Sequence, residues 1–93
     1  MAQTQDERRR RALYRAAHRG TKEMDWLLGR FAAAHIGAMS EAELADLERL
    51  IALPDPDLQA WLMTGDDFAN SEFASLVERI RAFHGLAAGK ERA

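Results

Sequence analysis

Met24, Leu27, Leu28, Phe31 and His35 stand at i, i+3, i+4, i+7 and i+11, which places all five along one side of an α-helix. The pattern returns in Leu44, Leu47, Leu50 and Ile51. It returns again in Phe73, Leu76, Val77, Ile80 and Phe83 or His84. Nowhere do β-branched residues alternate with polar ones over the length of a strand. A chain of 93 residues has room for one core. The expected fold is therefore all-α, a compact single-domain bundle of about five short helices. Residues 1–5 and 87–93 read as flexible tails.

Capping residues set the boundaries. The first helix is expected over residues 6–18, with Leu13, Tyr14 and Ala17 as its apolar side and Asp6 and Glu7 at the positive end of its dipole. Gly20 terminates it, because glycine adopts φ > 0 without penalty. Thr21 caps a second helix reaching residue 34, with Glu23 in its first turn. Trp26 falls nearly opposite the buried stripe, either packed on another helix or exposed as an apolar contact. Ser40-Glu41-Ala42-Glu43 is a capping box, with Met39 and Leu44 placed as a hydrophobic staple. Pro54 ends that third helix. Asp55 as N-cap and Pro56 at the first position open a fourth, with Leu58, Trp61 and Leu62 on one side and Gly65 as its stop. Residues 66–70 form a loop, Asn70 or Ser71 caps the last helix, and Gly85 ends it. Truncation of Phe31, Leu47 or Ile80 to alanine is expected to cost about 2–5 kcal/mol each.

The absence of cysteine excludes disulfides, thiolate metal sites and cysteine nucleophiles. No apolar run approaches the roughly 20 residues of a membrane span, and residues 1–11 lack the apolar centre of a secretory signal. These features fit a cytoplasmic protein. A net charge of −2 runs against non-specific nucleic-acid binding. The local exception is Arg8-Arg9-Arg10-Arg11. Four consecutive residues go all round a helix, so the run reads as a solvated helix start. Its alternative is a small helical nucleic-acid-binding or regulatory module using that run.

Catalytic chemistry is not assembled. His18, His35 and His84 share no i, i+3 or i, i+4 pairing and read as helix-end or core-edge histidines. Ser40 and Ser71 have capping roles, and no glycine-rich phosphate loop is present. Helix capping and loop roles explain Asp55, Asp57, Asp66 and Asp67. No catalytic residue, metal ligand or cofactor of its own is expected, so the chain reads as one that acts on a partner. Arg19-Gly20-Thr21-Lys22-Glu23-Met24-Asp25 is the richest stretch for such recognition. It reads either as a helix terminator with first-turn acids and an Arg19–Glu23 ion pair, or as a recognition patch. In the second reading Arg19 supplies a planar fork of donors, Gly20 admits close approach and Glu23 accepts hydrogen bonds.

Arg19-Gly20-Thr21-Lys22-Glu23 matches an R-G-x-x-E motif, and Met24-Asp25 and Leu27-Leu28-Gly29-Arg30-Phe31 match its usual continuation. A second block, Asp55-Pro56-Asp57-Leu58-Gln59-Ala60-Trp61-Leu62-Met63, follows at the fitting distance. Over residues 8–84 the chain resembles the small succinate dehydrogenase flavinylation factors, the SdhE type, called assembly factors in mitochondria. The resemblance implies a five-helix bundle that binds the flavoprotein subunit of succinate dehydrogenase, and in some bacteria of fumarate reductase. It implies an assembly factor, acting as a monomer, that promotes covalent FAD attachment to a histidine of the partner. The flavin itself is the electron sink. Arg19, Gly20, Glu23 and Asp25 carry over as partner-binding residues.

Overall fold

Thr4 and Ser40 start helices in the same way. Each hydroxyl accepts the backbone N–H three residues on, and Glu7 or Glu43 returns a carboxylate to the cap's own N–H. The fold is that of a computed structural model that describes residues 4–66 and 68–86. It contains α1 (Gln5–Ala17), α2 (Lys22–His35), α3 (Glu41–Ile51), α4 (Asp55–Gln59) and α5 (Ala74–Phe83). A π-helical turn (Ala60–Thr64) extends α4, and 3₁₀ turns follow α2 (Ile36–Ala38) and precede α5 (Phe68–Asn70). No strand occurs among the described residues. None of the described helices is long and apolar enough to cross a membrane.

The core is built from Met24, Leu27, Leu28 and Phe31 of α2, Leu44, Leu47, Leu50 and Ile51 of α3, and Leu76, Val77 and Ile80 of α5. Leu58 and Leu62 close it from the α4 side, with Trp61 half-buried against Phe73. Met39 and Leu44, the expected staple, are both buried. Because the cap of α3 is a complete box, Ser40→Ala is expected to destabilise the chain by about 1 kcal/mol. A lower urea midpoint with an unchanged m-value checks it.

The structure corrects the periodicity reading in several places. In α1 the buried residues are Ala12 and Ala16, whereas Tyr14 is 63% exposed and stacks on His18. Small side chains win that face because α1 lies close on α2. A Cβ added at Gly29 would stand 3.1 Å from the Cα and Cβ of Ala17. Thr4 and Gln5 belong to the capped first helix and not to a tail; residues 1–3 and 87–93 lie outside the described residues. Pro54, not Asp55, is the N-cap of α4, because the extended backbone lies at Pro54 and Asp55 is already the first helical residue, its carboxylate turned to Arg19. Within the expected 66–70 loop a 3₁₀ turn buries Phe68, and Asp67 is outside the described residues. Phe73 is the N-cap of α5, while Ser71 accepts a hydrogen bond from the Phe73 N–H. The Asn70 side chain is outside the described residues. Phe83 is 42% exposed and meets Phe31 edge-on, and His35 is half-buried between those two rings.

The arginine run divides. Arg8 forks onto Glu48 of α3, with one nitrogen at 2.8 Å, and lies 3.7 Å from Glu41. The Glu48 carboxylate raises the pKa of that guanidinium above its ordinary value. Arg9 donates to the Ile36 carbonyl. Arg10 and Arg11 are exposed beside Tyr14 and Glu7. Arg8 and Arg9 are thus turned onto the fold.

Candidate partner-binding site

The turn between α1 and α2 is made by residues 18–21. His18 closes α1, its Nδ1 lying 2.7 Å from the Tyr14 carbonyl. Gly20 follows with φ +127°, a conformation that L side chains rarely adopt. Thr21 then caps α2 by accepting the Met24 N–H at 3.2 Å. Asp25, one turn into α2, reaches back under the turn. Its Oδ1 accepts the backbone N–H of Arg19 and, at 3.1 Å, that of Gly20.

Arg19 faces inward. Its guanidinium donates to Asp55 Oδ1 at 2.6 Å and to the Leu53 carbonyl at 3.0 Å. Its Nε is buried without an acceptor among the described residues. The expected Arg19–Glu23 ion pair is therefore not formed, because Asp55 offers the carboxylate from across the fold. Glu23 is exposed, and its carboxylate has no hydrogen bond or ion pair among the described residues. Gly20 is exposed too, and nothing lies within 4 Å of where its Cβ would stand. Of the four residues singled out in the sequence, Gly20 and Glu23 form the outer surface, while Arg19 and Asp25 hold the turn beneath it.

Trp26 resolves to the exposed alternative, at 51%. It leans on His84 at 4.6 Å between ring centroids, with Arg30 over its ring at 5.6 Å. The His84 Nε2 lies 2.8 Å from the Leu27 carbonyl, which ties α5 to α2. Trp26 forms a ridge between two recesses. One, of about 720 Å³, runs over Lys22, Glu23, Asp25, Gly29, Arg30 and Ala33. The other, of about 340 Å³, includes Leu27, Met63, His84 and Leu86. Glu23 borders both. A carboxylate between a tryptophan and open apolar recesses suits protein recognition, where aromatic anchors and unpaired polar groups concentrate binding energy. The position of Met63 beside Trp26 was not legible in the sequence, since the two are joined only by tertiary packing. Among the described residues no group of three or more acidic or histidine side chains is placed to hold a metal ion.

The sequence model of a family described as "Flavinator of succinate dehydrogenase" matches residues 10–84. The FAD assembly factor SdhE of Legionella pneumophila (strain Paris) is 36% identical over 82% of this chain and 95% of its own length. The FAD assembly factor SdhE of Acetobacter pasteurianus is 49% identical over 59% of this chain and 50% of its own length. The mitochondrial succinate dehydrogenase assembly factor 2 of Dictyostelium discoideum is 40% identical over 59% of this chain. The match thus spans half of the Acetobacter protein and 39% of the Dictyostelium one. No solved structure matches the chain. With a family match over most of its helices and a relative aligned along nearly its whole length, this chain belongs to the succinate dehydrogenase flavinator family.

Proposed function

We propose that this chain is an assembly factor that binds the flavoprotein subunit of succinate dehydrogenase and promotes covalent attachment of FAD to it, without turnover of its own. Membership of the flavinator family supports this reading, as do the names of its relatives. The observation that carries it to particular residues is the outward pair Gly20 and Glu23 beside the exposed Trp26. Gly20 gives a partner's backbone close access. The unpaired Glu23 carboxylate accepts hydrogen bonds or a cation from the partner. Trp26 supplies apolar area. The FAD remains the partner's group, and the flavin supplies the electron sink for its own attachment. This chain contributes positioning, by favouring the partner conformation in which histidine and flavin are aligned. The same surface is proposed to serve a fumarate reductase flavoprotein, in each case as a monomer in a one-to-one complex.

Cells lacking this protein, complemented with wild type or empty vector, provide the test. In-gel flavin fluorescence of the denatured flavoprotein subunit is expected to fall in the deletion and to return only with the wild-type chain. Unchanged fluorescence in every strain, with FAD supply equal, would contradict the assignment.

A further inference from the structure

The two sequence blocks that mark this chain, residues 19–25 and 55–63, touch through one ion pair, Arg19 with Asp55. We propose that Asp55 is a positioning residue for the partner site: through the Arg19 guanidinium it holds the α1–α2 turn in the form that presents Gly20 and Glu23. This rests on the proposed function for its biological meaning, and on the free chain for its geometry.

Four observations carry it. The pair is tight, at 2.6 Å, and the Arg19 side chain is only 20% exposed, with Leu53 as a second acceptor at 3.0 Å. Gly20 itself has no packing to define it, since nothing lies within 4 Å of a Cβ built on it. Between the His18 and Thr21 ends of the turn, two carboxylates grip it. Asp25 takes the backbone N–H groups of Arg19 and Gly20, and Asp55 takes the Arg19 side chain. Asp55 also serves no capping role: it is the first residue of α4, Pro54 is the N-cap without a side-chain bond, and the Asp55 carboxylate turns to Arg19. Finally, Arg19 Nη2 is spent on both inward acceptors and its Nε is buried. To offer Nη2 to a partner the guanidinium must leave Asp55 and Leu53. Arg19 is thus assigned to act through the turn rather than by touching the partner. The two blocks form one device, in which the second sets the geometry of the first.

Amide hydrogen exchange on the free chain tests the clamp without any partner. In Asp55→Asn the Gly20 amide is expected to exchange about tenfold faster, because its bond to Asp25 opens with the turn. The core amides of Leu47 and Val77 keep their wild-type rates, and the Asp57→Asn control moves neither set. An unchanged Gly20 rate overturns the proposal. Equal acceleration of every amide overturns it too, since Asp55 would then serve only global stability. Binding to the flavoprotein subunit gives the second readout, through Arg19→Ala, Asp55→Ala and the double variant. The double variant is expected to bind no more weakly than the weaker single one, because both changes release the same clamp. Additive losses overturn the proposal, since Arg19 would then contact the partner directly. If wild type fails to bind the subunit, the proposed function fails instead, and the exchange rates decide the clamp alone.

Discussion

Phe31→Ala lowers the unfolding free energy by about 3–5 kcal/mol, the largest stability loss expected of any single truncation here. Phe31 is 1% exposed at the centre of α2. Its ring meets Phe83 edge-on at 5.8 Å and His35 at 4.7 Å, and Arg79 lies over it at 5.7 Å. Alanine would remove one of the contacts that join α2 to the end of α5 and leave a cavity between the helices. Small domains have total stabilities of about 5–15 kcal/mol, so the loss is a large share. Thermal unfolding is expected to fall by more than about 12 °C. A drop of only a few degrees would mean that the core collapses around the gap, and that α2 and α5 are less firmly packed than the ring geometry indicates.

Gly20→Val has the largest expected effect on function with the fold retained. Space does not forbid a side chain at Gly20, since its surroundings are open; its φ of +127° does. A β-branched residue held there carries strain of about 1–3 kcal/mol. The turn relieves it by rotating out of positive φ, which takes the Gly20 N–H from Asp25 and moves the turn relative to Glu23 and Trp26 on α2. Helix content is expected to stay near wild type by circular dichroism, while covalent flavin in the partner falls to the level of the deletion. Wild-type flavinylation by a folded Gly20→Val chain would show that the turn tolerates the change and that its conformation is not what the partner reads.

The helical stripes and caps were legible because they are local. Ser40 with Glu43, Thr21, Gly65 and Gly85 each act within a turn of their own position. The buried stripes of α2 and α3 follow from the same short-range geometry. What the sequence hid depends on residues far apart in the chain. Tyr14 looked inward by period, yet Ala12 and Ala16 are the buried residues of α1, and Ala17 is the residue that stands against Gly29 of α2. Arg81 is 4% exposed and donates to the Leu62 carbonyl at 2.7 Å, closing the π-helical turn from another helix. The site was half legible. The motif singles out this turn, and the structure leaves Glu23 and Gly20 exposed there. The inward direction of Arg19 was not readable, because its acceptors stand 34 and 36 residues away.

This exposed turn is proposed to promote flavin attachment in another protein. Its most direct test mixes purified flavoprotein subunit lacking covalent flavin with FAD and either the wild-type chain or Glu23→Ala, and follows covalent flavin by fluorescence after denaturing electrophoresis. Glu23 is exposed and has no hydrogen bond or ion pair among the described residues, so the variant, losing only a first-turn charge, is expected to unfold within a few degrees of wild type. The wild-type chain is expected to speed covalent attachment, while Glu23→Ala, equally folded, leaves it near the rate without any added chain. Equal acceleration by Glu23→Ala and wild type would contradict that role.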